Sequence, residues 1–222
     1  MNVRMFTVGM VQENCFLVSS AGAGEAASDA GGRAAVIVDP GDEAPRLLEA
    51  IEQAGVTLEA ILLTHTHFDH VGAVAQIARA TGAPVYCPRL EVPALQDINS
   101  FVPWPGFGPF ESWDPEQTVE GGETLELAGL TFDVIFTPGH SPGHVTYSVR
   151  DENALLSGDV LFDGSVGRVD FPGGDGPTLM RSIATLLDRF PDETTVYPGH
   201  MGITTLGRER ASNPFLTALS RR

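Results

Sequence analysis

Long apolar runs are absent from this chain, since no stretch approaches the roughly 18 apolar residues that a membrane-spanning helix requires. The first four residues have no long apolar region behind them, so a secretory signal is not expected. Cysteine is scarce as well. Cys15 and Cys87 both lie beside apolar residues and are predicted to be buried thiols in a reducing compartment. These absences predict a cytoplasmic protein that does not act at a membrane.

Lysine and arginine are also few. The 222 residues hold 13 Lys and Arg together against 29 Asp and Glu, which gives a formal net charge of −16. Such a chain repels phosphates, so nucleic acid is not an expected partner. An anionic substrate would need a local positive centre, which bound metal ions can supply. The length and a hydrophobic content of 42% are typical of one large domain, covering residues 1–222.

Hydrophobic periodicity predicts two similar halves, each with strands that precede an amphipathic helix, and no linker separates them. The simplest packing is two β-sheets face to face with helices outside, which is a four-layered αββα sandwich of the α/β class. The predicted strands cover residues 1–7, 11–19, 34–38, 60–63, 84–87, 124–127, 130–136, 145–149, 154–156 and 194–197, and the predicted helices cover 45–55, 71–81 and 177–190.

Two segments lack this periodicity. Residues 20–33 are rich in Gly, Ala, Ser and acidic side chains and are predicted to form a long hairpin loop. In residues 99–116 aromatic side chains, including both tryptophans, alternate with prolines that exclude a helix. This second segment has two interpretations. It is either a satellite hydrophobic cluster under a long loop or the wall or lid of a substrate site, in which Trp104 would contact the substrate.

The segment Thr64-His65-Thr66-His67-Phe68-Asp69-His70 follows an apolar strand and precedes a helix. Imidazoles and carboxylates are strong ligands for transition metals. Residues two apart in an extended segment point the same way, so His65 and His67 can grip one ion together. Asp69 and His70 follow after the chain turns and face another direction. This segment can therefore serve two neighbouring metal positions.

The other three histidines also follow apolar strand-like runs. His140 and His200 each come directly after Pro-Gly, and His144 lies four residues beyond His140. Asp159 ends a further apolar run and could bridge two metals with its two oxygens. Strand ends followed by tight turns would bring these side chains to one rim of the sheets. For His144 we expect an orienting or structural role, or a contact with substrate, because ligand histidines need orienting partners.

These residues, in this order, resemble the metallo-β-lactamase superfamily. Within it the pattern is similar to glyoxalase II, the hydroxyacylglutathione hydrolases, and more closely to short bacterial members of that branch. The resemblance covers nearly the whole chain and is carried by His65, His67, Asp69, His70, His140, Asp159 and His200, by Thr137-Pro138-Gly139-His140-Ser141-Pro142-Gly143-His144, Gly164-Ser165-Val166-Gly167-Arg168 and Pro172-Gly173-Gly174-Asp175, and by Pro198-Gly199-His200 with Thr204, Thr205, Glu209 and Asn213-Pro214-Phe215.

The resemblance implies two divalent metal ions, zinc in the first instance, with iron or manganese also suited to these ligands. Asp159 and a water-derived hydroxide would bridge the two ions. Asp69 would be both a ligand and the group that orients the hydroxide. The first metal position is implied for His65, His67 and His140, and the second for Asp69, His70 and His200.

Departures from the wider superfamily narrow the expectation. β-Lactamases of the main branch carry cysteine where Asp159 stands, which disfavours antibiotic hydrolysis. Full-length glyoxalase II has a C-terminal helical domain that grips glutathione, whereas only 22 residues follow His200 here, so the resemblance does not determine whether glutathione is the thiol. RNA-processing relatives need an extra domain and a basic surface. Flavodiiron relatives need a flavin domain and carry Glu where His67 stands.

The leading hypothesis is hydrolysis of a small-molecule thioester by a metal-bound hydroxide, with Asp69 and Asp159 as catalytic residues. Arg168 would clamp a substrate carboxylate in bidentate fashion. The first alternative is a mononuclear iron(II) persulfide dioxygenase, because His65, His140 and Asp159 alone form a 2-His-1-carboxylate set. Lactone hydrolysis and a catalytically idle metal-binding module are the remaining alternatives.

Overall fold

The structure is a computed structural model that describes residues 1–21, 33–102 and 104–217. The hairpin loop predicted at 20–33 falls almost entirely outside these ranges. Within the described residues, no helix is both long and apolar enough to cross a bilayer. The strands are β1 Asn2–Val8, β2 Glu13–Ser19, β3 Arg33–Val38, β4 Val56–Leu62, β5 Val85–Pro88, β6 Gln117–Val119, β7 Thr124–Leu127, β8 Leu130–Phe136, β9 Val145–Val149, β10 Ala154–Gly158, β11 Leu161–Phe162, β12 Ser165–Val166, β13 Thr195–Pro198 and β14 Thr204–Thr205.

The helices flank these strands. Most are short, and the three longest are α1 Ala44–Ala54, α3 Val74–Thr81 and α6 Gly176–Arg189. Pro45 stands at the start of α1, and Gly55 ends it with φ +62°, as the sequence predicted. The α-helices are α1 Ala44–Ala54, α2 Phe68–Val71, α3 Val74–Thr81, α4 Val92–Gln96, α5 Ile98–Phe101, α6 Gly176–Arg189, α7 Leu206–Ser212 and α8 Pro214–Thr217.

The strands form two six-stranded mixed sheets, in the orders β1-β2-β3-β4-β5-β6 and β14-β13-β10-β9-β8-β7, and a small β11–β12 hairpin. Alternate residues of the first sheet face opposite ways, because side chains alternate across a strand. In β3, Val36 and Val38 meet side chains of the second sheet, whereas Ala35 and Ile37 pack with helices α1 and α3. A third apolar cluster joins the second sheet to α6 and α7. The predicted αββα sandwich is therefore confirmed.

Three strands of the second sheet end at the same edge. Strand β8 is antiparallel to β9, β9 is antiparallel to β10, and β10 is parallel to β13. Consequently β8, β10 and β13 run in one direction, and the loops after them leave from one rim. The end of β4 joins this rim, since the Val145 amide donates to the Thr64 carbonyl at 2.9 Å and the Tyr147 hydroxyl donates to the Leu63 carbonyl at 2.9 Å.

The helix predicted at 71–81 is interrupted. Helix α2 ends at Val71 and α3 begins at Val74, because the Ala73 amide donates to the Pro40 carbonyl at 3.1 Å instead of continuing the helix. Gly72 permits the close approach, since a Cβ there would lie 2.4 Å from the Gly41 carbonyl oxygen. This packing of the 39–41 turn against the start of α3 fixes the direction in which the ligand segment leaves the strand.

The other differences concern short elements. Helix α5 begins at Ile98 and takes up the first residues of the 99–116 segment, for which the prolines had excluded a helix. Strands β6, β11, β12 and β14 and helices α4, α7 and α8 did not emerge from the sequence. These strands have only two or three residues, and these helices make at most two turns, which is too little for an alternating or helical apolar pattern to show.

Candidate metal centre

Three imidazole nitrogens converge where β4 and β8 end. His65 Nε2 lies 3.1 Å from His67 Nδ1, His67 Nδ1 lies 2.8 Å from His140 Nε2, and His140 Nε2 lies 3.2 Å from His65 Nε2. Nitrogens that share a tetrahedral zinc ion at about 2.0 Å are about 3.3 Å apart. The three rings are thus arranged as ligands of one ion would be.

Neighbouring groups orient these rings. The Nδ1–H of His140 donates to the Arg168 carbonyl at 2.7 Å, which leaves Nε2 with its lone pair towards the other two rings. His65 Nδ1 lies 3.0 Å from the Thr64 hydroxyl. Burial lowers the pKa of His65 well below its usual value, and burial together with His140 lowers the pKa of His67 to about 3. Both rings are therefore neutral at physiological pH, as metal ligation requires.

A second set consists of Asp69, His70 and His200. His200 Nε2 lies 3.2 Å from Asp69 Oδ2, and His70 Nε2 lies 3.9 Å from the same oxygen. The ligand atoms of the three residues all lie within 4.8 Å of one another. His70 is completely buried, whereas Asp69 and His200 reach the surface of a cavity. This set is mixed nitrogen and oxygen, in contrast to the all-nitrogen first set.

Asp159 lies between the two sets. Its Oδ2 is 3.4 Å from His140 Nε2 and 3.6 Å from His200 Nε2, and its Oδ1 is 3.4 Å from His70 Nε2. Burial by itself raises the pKa of Asp159, but the imidazoles of His70, His200 and His140 outweigh it, so the pKa is held well below its ordinary value. The carboxylate is therefore ionised and in reach of both sets.

The residues present fit metal ions, as judged by their unpaired atoms. His70 Nε2 and Asp159 Oδ1 are buried and have no hydrogen-bond partner among the described residues. Burial alone lowers the pKa of His70, but the carboxylates of Asp159 and Asp69 raise it well above its usual value, so the cluster attracts positive charge. A divalent cation would satisfy these atoms and displace the proton. Nitrogen and carboxylate donors suit zinc, iron and manganese.

Two buried carboxylates support His70, and sequence reasoning did not assign either of them to the site. Asp39 accepts from the Thr64 amide at 2.7 Å and from the Thr64 hydroxyl at 2.6 Å, and its Oδ2 lies 3.1 Å from His70 Nδ1. Glu13 Oε1 lies 3.8 Å from the same nitrogen. Burial raises the pKa of Glu13 well above its ordinary value. An acidic residue just before the apolar run Cys15–Val18 was the available signal for Glu13.

A third buried carboxylate, Glu91, joins the two ligand loops. Its Oε1 accepts from the Ser141 hydroxyl at 2.7 Å and from the Gly143 amide at 2.6 Å, and its Oε2 accepts from the Thr66 hydroxyl at 2.9 Å. Thr66 lies between His65 and His67, and Ser141 directly follows His140. Glu91 therefore fixes the loop after β4 to the loop after β8. No sequence signal singled it out.

His144 is buried beneath His65, with ring centroids 5.0 Å apart and an interplanar angle of 29°. Its Nδ1 lies 3.0 Å from the Thr137 hydroxyl, and its Nε2 accepts from the Asp159 amide at 3.1 Å. Both ring nitrogens are thus engaged by the protein, and His144 does not line the cavity. Of the roles considered for it, the structure favours the orienting one over a substrate contact.

Trp104 and Arg168 line the cavity above the two sets, which we call the metal cavity; its volume is about 250 Å³. The Arg168 guanidinium stacks on Phe171, with 3.9 Å between the guanidinium carbon and the ring centroid, and lies 5.6 Å from the Trp104 ring. Its Nε and Nη2 each donate to the Asp170 carboxylate at 2.7 Å. The edge of Arg168 expected to clamp a substrate carboxylate is therefore already paired within the chain.

The 99–116 segment combines the two interpretations offered for it. Trp104 lines the metal cavity and is 38% exposed. Phe107, Phe110 and Trp113 instead pack, partly buried, against the apolar cluster of the first sheet. The segment is held by core packing on one side and forms part of the cavity wall on the other.

Histidines and aspartates gathered at one rim of an αββα sandwich define a class of metal-dependent hydrolases. The sequence pattern of the metallo-beta-lactamase superfamily matches residues 8–200. The chain belongs to this superfamily of metallo-hydrolases.

Two curated relatives have similar length. The chain is 35% identical to hydroxyacylglutathione hydrolase GloC of Haemophilus influenzae, across 99% of this chain and all of the relative. It is 36% identical to the probable metallo-hydrolase YqgX of Bacillus subtilis, across 99% of this chain and all of that relative.

Three solved structures are also similar to this chain over most of its length. The B3 metallo-beta-lactamase BLEG-1 is 36% identical with a TM-score of 0.88, covering 97% of this chain and all of that one. TTHA1623, solved in a di-iron-bound form, is 41% identical with a TM-score of 0.82, covering 96% of this chain and all of that one. ETHE1 from Myxococcus xanthus is 26% identical with a TM-score of 0.76, covering 98% of this chain and 85% of that one.

Proposed function

We propose that this protein hydrolyses small-molecule thioesters of the 2-hydroxyacyl type with two bound divalent metal ions. His65, His67 and His140 would hold one ion, and Asp69, His70 and His200 the other. The observation that carries the proposal is the position of Asp159, whose two oxygens lie within 3.6 Å of ring nitrogens from both sets. A carboxylate so placed suits a bridging ligand of a binuclear site.

Bound divalent ions would lower the pKa of a shared water towards about 7 and stabilise negative charge on the substrate carbonyl oxygen. In the overall reaction the water oxygen bonds to the acyl carbon, the carbon–sulfur bond breaks, and a carboxylic acid and a thiol result. A thiolate is a good leaving group, so the protein needs to supply little acid assistance. The ligand geometry therefore matters more than a separate general acid.

The side chains of this protein divide the remaining tasks. Asp69 faces the metal cavity and is placed to accept a hydrogen bond from the attacking water, which sets its direction. Its pKa is lowered, because His70 and His200 outweigh the effect of burial, so it is ionised and able to accept. Trp104 and Phe171, whose ring centroids are 5.5 Å apart, form an apolar wall that excludes bulk water.

The likeness to GloC supports this substrate class. GloC is matched over its full length and is named a hydroxyacylglutathione hydrolase. The sequence left the thiol open, because only 22 residues follow His200. A relative matched end to end by this chain weakens that reason, so glutathione thioesters belong among the substrates to be tested.

The test is metal quantification on the native protein followed by a panel of thioesters that includes S-lactoylglutathione. We expect two metal ions per chain and oxygen-independent release of thiol. The Asp159→Ala variant should lose metal and turnover together. Asp192→Ala, which removes an exposed carboxylate paired with Arg210, is the matched control and should keep both. Full activity in the Asp159 variant would refute the assignment.

A mononuclear iron dioxygenase is the second candidate. The likeness to ETHE1 fits this alternative. His65, His140 and Asp159 would then hold one iron. TTHA1623 was solved with two irons bound, which fits a binuclear site instead. One iron per chain, with oxygen consumed in the presence of a persulfide and no thioester cleavage, would establish this candidate in place of the hydrolase.

Further ring-opening substrates complete the panel. Lactones suit the same pair of ions. BLEG-1 is described as a B3 metallo-beta-lactamase, so a penicillin and a cephalosporin should be included although Asp159 replaces the cysteine of the main branch. Metal-loaded protein that is inert towards every thioester, lactone and β-lactam would favour the idle metal-binding module.

A further inference from the structure

A second cavity, which we call the side cavity, adjoins the metal cavity. Its volume is about 450 Å³, which lies within the range of small-molecule sites. His67, Phe68 and Phe171 line both cavities. The two cavities therefore lie side by side around these three side chains, and the side cavity borders the candidate ligand His67.

The walls of the side cavity are apolar and unusually exposed. Leu90 is 63% exposed and Phe101 is 59% exposed, and both line the cavity together with Val102, Pro142 and Pro172. Large apolar side chains left in water around a concave surface commonly mark a binding site. A ligand with its own apolar surface would bury these walls, which is favourable in proportion to the area removed from water.

The polar groups of this cavity disfavour a charged ligand. The Glu91 carboxylate lies at the cavity and already accepts hydrogen bonds from Ser141, Gly143 and Thr66. Its negative charge would repel an anionic arm. Among the described residues that line the two cavities, Arg168 is the one with a permanent positive charge, and it lines the metal cavity. A single anionic group on the substrate is therefore better placed in the metal cavity than in the side cavity, because the Arg168 guanidinium carries positive charge there, although its Nε and Nη2 already donate to Asp170.

We propose that the side cavity binds an apolar arm of the substrate, so that the preferred thioesters join an alkyl or aryl chain to a part with one negative charge. This inference rests on the proposed thioester hydrolysis and names its substrate class. The arm belongs either to the acyl group or to the thiol. The two sources share the same chemistry and are separated by experiment.

Two series of thioesters test the proposal in hydrolysis. The first varies the acyl chain from acetyl to octanoyl on 3-mercaptopropionate, and the second varies an alkanethiol from ethyl to octyl on a succinyl group, so that each substrate carries one carboxylate. Burial of one methylene improves kcat/KM about fourfold. We expect kcat/KM to rise by this factor in one of the two series, mainly because KM falls. A rise in the first assigns the arm to the acyl group, and a rise in the second assigns it to the thiol. Flat profiles in both would overturn the proposal.

Variants connect the chain-length effect to the cavity. Leu90→Ser and Phe101→Ser should at least halve the gain per methylene in the series that shows it. Both side chains are largely exposed, so folding should not suffer. Phe215→Ser is the matched control, since Phe215 is 50% exposed and does not line the side cavity. An equal effect of all three variants would overturn the proposal, as would a preference for an ammonium-terminated arm, which would identify Glu91 as a cation site.

A binding measurement keeps this inference separate from the proposed function. S-octyl-3-mercaptopropionate is a thioether and cannot be hydrolysed. Calorimetry should show that it binds the as-purified protein at least tenfold more tightly than the S-ethyl compound, and that Leu90→Ser removes this difference. If the difference is present but no thioester is cleaved, the cavity assignment stands and the hydrolase proposal fails. If thioesters are cleaved but the two thioethers bind equally, the hydrolase proposal stands and the cavity assignment fails.

Discussion

Glu91 offers the most direct test of how the ligand loops are held. Its carboxylate is 5% exposed and accepts hydrogen bonds from three buried groups, two in the loop after β8 and one in the loop after β4. In Glu91→Ala, the Thr66 hydroxyl retains a partner, the carbonyl of residue 91, at 3.2 Å. The Ser141 hydroxyl and the Gly143 amide lose theirs.

The cost follows from these two donors. A buried donor left without a partner costs about 1–3 kcal/mol, so the free energy of unfolding should fall by about 2–6 kcal/mol. For a protein of this size each kilocalorie lowers Tm by about 2–4 °C. Glu91→Gln should lose much less, since its amide oxygen can still accept from Ser141 and Gly143 and its amide nitrogen can donate to Thr66.

The ligand loops should respond as well. Loss of a partner that orients metal ligands typically lowers metal affinity about 10–100-fold. Thermal unfolding of chelator-treated protein measures the stability effect, and competition with a chromophoric chelator measures the affinity. Glu120→Ala, an exposed glutamate paired with Arg89, is the control and should unfold within about 0.5 kcal/mol of the native protein.

The reasoning fails if Glu91→Ala unfolds at the same temperature as the native protein, or if the glutamine and alanine variants are equally impaired. In the first case the hydrogen bonds would contribute nothing. In the second the charge, and not the hydrogen-bond geometry, would be what holds the loops.

Three further predictions concern the metal centre and the cavity wall. In Gly199→Ala the new Cβ would lie 2.3 Å from Asp159 Oδ1, so the metal content should fall at least tenfold. Gly202→Ala is the control, because its nearest contact is 3.5 Å away, and it should keep the metal. Equal metal content of the two variants in elemental analysis would contradict the position assigned to Asp159. Chelation of the bound metal should lower Tm by about 8–16 °C, because a metal at about 1,000 times its Kd stabilises the folded protein by about 4 kcal/mol. If a calorimetric scan shows the same Tm before and after chelation, the native protein holds no such ion. Trp113→Phe leaves Trp104, which lines the metal cavity, as the only tryptophan. Its emission should shift to shorter wavelength when the S-octyl thioether binds with its anionic end in that cavity; an unchanged spectrum would place that end elsewhere.

Much of the architecture could be read from local pattern. Apolar strand-length runs and amphipathic helices predicted the αββα sandwich, and Pro45 and Gly55 marked the ends of the first long helix. Local pattern was less informative where distant segments compete for the same backbone groups. The helix predicted at 71–81 is broken because the Ala73 amide bonds to the Pro40 carbonyl, a partner more than thirty residues away.

The candidate ligands were also readable, because histidine and aspartate after apolar runs are few and chemically distinctive. Their supporting groups were not. Asp39 precedes Pro-Gly, a pattern typical of a turn. Glu13 stands next to a predicted strand core, and Glu91 lies in a stretch with no distinctive pattern. A carboxylate becomes a support only when folding removes it from water beside a ring nitrogen, a hydroxyl or an amide. Sequence spacing does not determine that encounter.

By itself, the sequence determined the order of the longer strands and helices and the candidate metal ligands that follow strand ends, because these depend on residue chemistry and local periodicity. Only the tertiary structure decided that Asp159 lies between two ligand sets, that His144 is fully engaged beneath His65, and that an apolar cavity opens beside His67. These are relations between segments far apart in the chain, and they are fixed by the packing of two sheets against each other.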